Sequence, residues 1–236
     1  MKEITGNIAS PKGFTADGIH VGIKKRKLDL GWIVSECPSS VAYVQTTNKV
    51  KAAPLILNKI TIQTTGKIQA VIANSGIANA CTGQKGMEDA ISMQQQVSET
   101  LGINQDFICV ASTGIIGQRL PMSKIKKGIQ QLNKDGNANY FAKAILTTDL
   151  NTKTCVVTEK FDQTTVTMAG VAKGSGMIHP NMATMLAFIT CDANISTETL
   201  QEALKTNIDK TFNQITIDGD TSTNDCLLYT SDAADE

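Results

Sequence analysis

Eight short apolar runs rich in β-branched side chains recur along the chain, at residues 32–34, 41–46, 68–73, 107–112, 154–158, 166–172, 185–190 and 214–217. Runs of this length and composition suit the pleated, half-buried surface of a sheet. Between them the apolar spacing lengthens to that of a helix. Met87, Ala90, Ile91, Val97 and Leu101 fall on one face, and residues 122–132, 139–146 and 200–212 repeat the pattern. Pro121 suits a first helical position and Ser196 an N-cap. Strands interleaved with helices imply an α/β or α+β domain without fixing the order of the strands. No repeat, linker or low-complexity tract divides the chain, and 41% hydrophobic residues among 236 are ample for a core.

The charge pattern excludes several partners. Lys plus Arg number 22 against 22 Asp plus Glu, with no dense basic block, so neither nucleic acid nor an anionic membrane finds its electrostatic footprint. The basic run at 24–27 reads as a solvated turn. No apolar stretch approaches the ~18 residues of a membrane helix. Lys2 and Glu3 open the chain with no apolar segment behind them, and the expectation is a cytoplasmic protein. The cysteines at 37, 81, 109, 155, 191 and 226 form no C-x-x-C pair, and His20 and His179 are too few to complete a zinc site. They read as reduced, mostly buried small hydrophobes, and no metal is expected.

The nucleophile elbow, the P-loop, the dinucleotide fingerprint and the zincin motif are all absent. Three glycine-containing segments remain. The first, A-S-T-G-I-I-G at 111–117, offers backbone amides to a ligand or makes a tight turn into the next helix. The second, residues 173–189, runs through Gly174, Gly176, His179 and Pro180 to Ala183 and Thr184. His179 there is a hydrogen-bonding loop residue or a titrating one. Thr184 is an ordinary strand residue, or else a nucleophile whose base is its own α-amine, reference pKa ~7.7–8.0, freed by cleavage before it. The third, D-G-D-T-S at 218–222, is an Asp/Gly turn or, following the run at 214–217, the Asp218 and Asp220 pair of a Mg²⁺-dependent aspartyl-phosphate phosphatase.

Residues 226–236, C-L-L-Y-T-S-D-A-A-D-E, break the texture and match one translated reading frame of a transposase-type sequencing adapter. The expectation is a non-native tail after Asp225 that packs against nothing, so that its deletion changes stability by no more than ~0.5 kcal/mol. Leu227, Leu228 and Tyr229 are the residues able to collapse where further strands would sit.

Seven segments in order carry a family resemblance: S-P-K-G-F at 10–14, T-T-N-K-V-K-A-A-P at 46–54, A-N-S-G-I-A-N-A-C-T-G at 73–83, A-S-T-G-I-I-G at 111–117, T-T-D at 147–149, A-K-G-S-G-M-I-H-P-N-M-A-T-M at 172–185 and D-G-D-T-S-T-N-D at 218–225. The chain resembles the ornithine acetyltransferase family of arginine biosynthesis, also called glutamate N-acetyltransferase. The resemblance implies an α/β fold with sheets packed between helices, incomplete at the C-terminus. It also implies a precursor that cleaves itself at Ala183-Thr184 into an α chain (1–183) and a β chain beginning at 184, of which 184–225 is visible. By that resemblance Thr184 carries acetyl from N-acetylornithine to glutamate, with acetyl-CoA a further co-substrate in some members and no resident cofactor. Thr113 and Gly114 would form the oxyanion hole, and Thr147 and Lys173 would bind substrate. Two α and two β chains would assemble together. Ile77 stands where the family usually has asparagine. The alternatives are an aminopeptidase of similar fold, the phosphatase above, and a binding protein that does not process.

Overall fold

The structure, a computed structural model, describes residues 1–177 and 185–231. Along the chain it contains strands β1 (Lys2–Ile4), β2 (Phe14–Ile19) and β3 (Leu30–Gln45), helix α1 (Ala53–Thr65), β4 (Lys67–Ile77), α2 (Gly83–Leu101), β5 (Ile108–Ile115), α3 (Met122–Ile129) and α4 (Ala138–Ala144). These are followed by β6 (Lys153–Phe161), β7 (Thr164–Lys173), β8 (Leu186–Cys191), α5 (Thr197–Ile208) and β9 (Cys226–Ser231). The described strands form one sheet in the order β1-β6-β7-β8-β9-β3-β4-β5, with β2 also paired to β3. The β4–β5 and β8–β9 pairs are parallel and the rest antiparallel.

Strand alternation decides the layers. Trp32 and Val34 of β3 pack with Ala90, Met93 and Val97 of α2 and with Ile125 and Ile129 of α3. Ile33, between them, faces Phe141 of α4, whose ring meets Phe188 of β8 edge-on at 5.3 Å between centroids. Farther along, Ala42 joins Leu227 and Tyr229 beneath Leu200, Leu204 and Ile208 of α5, while Val41 and Leu228 face the α4 side. Helices thus cover both faces, as the α/β reading requires. No described helix is long and apolar enough to cross a membrane.

Where the structure departs from the sequence reading, each departure has a physical cause. The expected strands at 32–34 and 41–46 are one strand, β3, carried past Pro38 by a register irregularity between Val34 and Ser39. A proline is tolerated there because the ladder is already interrupted. Helix α1 was hidden because Leu55 packs into one cluster and Leu57 into another, which blurs the period. Strand β2 carries Asp17 and Gly18, both poor strand formers. Asp17 is nonetheless buried, accepting N–H bonds from Asn133 (3.0 Å) and Asn137 (3.3 Å). A Cβ on Gly18 would lie 2.4 Å from the Tyr140 carbonyl oxygen. Residues 214–217 form no strand: a short 3₁₀ turn covers Phe212–Gln214, and Ile215 and Ile217 are exposed. That removes the strand on which the phosphatase reading of Asp218 and Asp220 rested. The cysteines divide evenly, with Cys109, Cys191 and Cys226 buried and Cys37, Cys81 and Cys155 exposed, all six free. Ser196 does cap α5, accepting the Thr199 N–H at 3.2 Å.

The last segment differs most. Instead of packing against nothing, Cys226–Ser231 forms β9, buried throughout and inserted between β3 and β8. The slot between those strands offers unpaired backbone on both sides and apolar surface on both faces. Leu227 and Tyr229 pack on one face and Leu228 on the other, which meets both demands. Residues 232–236 lie outside the described residues. Truncating Leu228, fully buried at 0% exposure, to alanine should therefore cost about 2–5 kcal/mol in a denaturant melt. A loss below about 0.5 kcal/mol would show that β9 is not part of the core.

Candidate active site

Ligand sites in α/β sheets gather beyond the carboxyl ends of parallel strands. Here β4 and β5 run parallel and end side by side, with Ser75 opposite Thr113 and Gly76 opposite Gly114. Gly114 has φ +133°, and a Cβ there would lie 2.2 Å from the carbonyl carbon of Gly76. No side chain fits at that point, which is why the segment at 111–117 needs glycine. Beyond these ends opens a cleft of about 500 Å³, lined among others by Thr113, Gly114, Thr147, Thr148, Lys173, Ser222, Asn224 and Lys24.

The structure therefore brings together four of the residues proposed from the sequence. Thr113 is mostly buried and lines the cleft. Thr147 follows α4 and receives a hydrogen bond from Lys173 Nζ at 3.3 Å. Lys173 ends β7, pairs with Leu186 of β8 and is only 4% exposed. Burial pushes its ammonium pKa down, while Asp149 and Asp225 pull it back up. His179, Ala183 and Thr184 lie outside the described residues. They belong to the connection between the paired residues Lys173 and Leu186. Before that stretch, Met177 lines the cleft and donates its N–H to Asp218 Oδ2. After it, the Met185 carbonyl accepts the Cys226 N–H at 3.1 Å.

Three contributors escaped the sequence reading. Asn224 donates from Nδ2 to the carbonyls of Ala78 and, at 2.8 Å, Ser112, clamping the ends of β4 and β5 together. Beside it Ser112 Oγ donates to Asn74 Oδ1 at 2.7 Å and Asn74 Nδ2 donates to the Ile77 carbonyl at 2.9 Å. The motif at 218–225 signalled this segment, but only pairing in space shows that its asparagine is the clamp. Asp225, next along, is buried with Oδ2 lacking a hydrogen bond. Burial pushes its carboxyl up to about 8 against the opposing pull of Lys173, the Met185 N–H and Ser222. The third is Lys24. The 24–27 run was read as a solvated turn, and Lys25, Arg26 and Lys27 are indeed exposed. Lys24 instead turns inward, lines the cleft and donates to the Leu146 carbonyl at 2.8 Å. Ile77, the departure from the resembled pattern, is buried among apolar side chains.

Two lysines, Lys24 and Lys173, are among the residues lining the cleft. Nearby, Asp149 is buried, hydrogen-bonded to Lys153 and to the Gly174 N–H at 2.8 Å. Burial pushes its carboxyl up, but those two bonds and the charges of Lys153 and Lys173 together hold it below the usual range. It fixes the turn after β7 and leaves Lys173 facing the cleft.

Comparison with known proteins points to one group. The ArgJ family model matches residues 15–236. The arginine biosynthesis bifunctional protein ArgJ of Streptococcus thermophilus is 65% identical over 231 residues, covering 98% of this chain and 58% of the relative. The chain thus spans less than two thirds of that relative's length. The crystal structure of the arginine biosynthesis bifunctional protein ArgJ of Bacillus halodurans superposes with a TM-score of 0.75 at 50% identity, over 77% of this chain and 97% of that one. The ornithine acetyltransferase of Mycobacterium tuberculosis, solved with ornithine, gives a TM-score of 0.69 at 34% identity, over 78% and 99% of the two chains.

Because a side chain on residue 114 would collide with the backbone of Gly76, Gly114→Ala should destabilise the protein by about 2–4 kcal/mol, combining clash and a left-handed φ. A thermal melt coinciding with that of the parent would mean that β4 and β5 can part there at no cost.

Proposed function

The chain belongs to the ArgJ family, and on that premise we propose that it carries the nucleophile and half of the substrate site of a self-cleaving acetyltransferase. The observation that carries this reading is the convergence of Thr113, Gly114, Thr147 and Lys173 on one cleft, at the root of the connection that contains Ala183 and Thr184. In the maturation step the Thr184 hydroxyl attacks the Ala183 carbonyl, the acyl group shifts from nitrogen to oxygen, and water hydrolyses the ester. The products are an α chain of residues 1–183 ending in the Ala183 carboxylate and a β chain beginning with a free Thr184 α-amine.

The transfer cycle then uses that amine as the base for the threonine hydroxyl. Thr184 Oγ attacks the acetyl carbonyl of N-acetylornithine, ornithine leaves with the proton, and the amine of glutamate attacks the acetyl ester to release N-acetylglutamate and regenerate Thr184. Acetyl-CoA is a further acetyl donor in this reading. The Thr113 hydroxyl and the Gly114 N–H stabilise the oxyanion at each tetrahedral stage, where a donor is worth most. Thr147 and Lys173 hold the amino-acid substrate, the ammonium of Lys173 receiving its α-carboxylate. Two α and two β chains form the assembly, and the remaining length found in the relatives supplies the rest of the site.

Two measurements test this. Intact mass and N-terminal sequencing of the purified gene product should find a second chain beginning at Thr184, and Thr184→Ala should remain a single chain; any other mature N-terminus ends the nucleophile assignment. Thr113→Val, with processing shown to be complete, should keep its stability and lose on the order of 10²–10³ in kcat. Activity within about threefold of the parent would remove Thr113 from the oxyanion hole.

A further inference from the structure

The described lining of the cleft contains two cations, Lys24 and Lys173, and no carboxylate. They come from opposite parts of the chain, one from the loop before β3 and the other from the end of β7. Asp149 and Asp225 act on Lys173 and Asp29 acts on Lys24 from behind the lining, so the surface the cleft presents to a ligand is cationic.

Lys24 is held in place by more than a surface turn requires. Asp29, 0% exposed, accepts the N–H of Val21 at 2.7 Å on one oxygen and those of Ile23 (2.7 Å) and Lys24 (2.8 Å) on the other. His20 Nδ1 lies 3.2 Å from the same carboxylate. The three N–H donors offset the burial of the carboxylate and hold the loop in one conformation. The loop lies against Gly76: a Cβ there would meet Ile23 Cγ2 at 2.9 Å and Lys24 Cγ at 3.1 Å. Lys24 therefore sits over the same backbone pair, Gly76 and Gly114, that shapes the floor of the site. One ammonium donor is taken by the Leu146 carbonyl, and an ammonium has three. Burial lowers its pKa to about 8, with Asp29 opposing and Lys27 and Lys173 adding to the fall, so it is mainly charged at neutral pH.

We propose that Lys24 is a specificity-determining residue that receives the side-chain carboxylate of a dicarboxylic amino-acid acceptor. This rests on the acetyltransferase reading of the cleft, in which Lys173 already takes the α-carboxylate. Donor and acceptor differ at the far end of the side chain, an ammonium in ornithine and a carboxylate in glutamate. A fixed cation there favours the acceptor over the ammonium that the donor and its product ornithine share.

The test compares the parent full-length gene product, in which the remaining length completes the site, with its Lys24→Gln variant in acetyl transfer from N-acetylornithine to glutamate and to the uncharged, isosteric glutamine. Loss of a charge-assisted bond should lower the glutamate-over-glutamine ratio of kcat/KM by roughly tenfold or more. KM for N-acetylornithine should not rise, and Lys24→Arg should recover part of the preference. A ratio that stays within twofold of the parent's overturns the proposal. So does a parent without preference, or an equal rise in KM for donor and acceptor, which would make Lys24 a prop for Leu146 and the threonine loop. If the parent transfers acetyl to neither amino acid, the acetyltransferase reading has failed, and calorimetric binding of glutamate and glutamine then decides the role of Lys24 separately. A preference lost in Lys24→Gln upholds it, and a preference retained, or absent in the parent, refutes it.

Discussion

The backbone-to-backbone contact of Gly76 with Gly114 is the constraint around which the site is built. Two parallel strands can end this close only if neither carries a side chain at the contact, and both glycines adopt φ values, +106° and +133°, that other residues resist. Once they meet, Thr113 is pinned beside the cleft, the loop carrying Lys24 rests on Gly76, and the carbonyls of Ala78 and Ser112 come within reach of one amide, Asn224. Asn224 thus satisfies two carbonyls at the strand ends, as buried backbone requires.

The segment at 221–225 ties this corner to the rest of the sheet. Thr46 N–H bonds to the Asp225 carbonyl at 3.0 Å, Ala52 N–H to that of Thr223 at 3.0 Å, and Asn48 Nδ2 to that of Thr221 at 2.9 Å. Its continuation is β9, which joins β3 to β8. Strand β8 in turn pairs with β7, whose last residue is Lys173. Lys173 and the candidate oxyanion donors therefore belong to one continuous hydrogen-bonded sheet, against which the Lys24 loop rests at Gly76, the rigid support that a pre-organised site needs.

Burial tunes the charges of that corner in opposite senses. Lys24 and Lys173 are pushed down and Asp225 is pushed up to about 8. For Lys24 and Asp225 the neutral and charged forms therefore lie close in free energy near neutral pH. Asp149 is the exception, because Lys153 and the Gly174 N–H compensate its burial directly.

The sequence alone determined a mixed α/β or α+β class, most of the strands and amphipathic helices, the Ser196 cap and the motifs whose family resemblance implied roles for Thr113, Gly114, Thr147, Lys173 and Thr184. These are local properties: the period of apolar residues, the chemistry of a cap, and short strings whose glycines announce a close approach. Tertiary structure decided what has no local signature. Helix α1 packs into two clusters and so shows no single face. Strand β2 includes an aspartate and a glycine because Asn133, Asn137 and Tyr140 arrive from far along the chain. Residues 226–231 become a central strand because β3 and β8 leave a slot that neither would expose in isolation. Lys24 reads like its neighbours in a basic run, and only the buried carboxylate of Asp29, five residues on, turns it into the cleft. The sequence carries the identity of each group, but contacts between distant segments set its environment, and the environment determines whether a lysine is a solvated charge or part of a site.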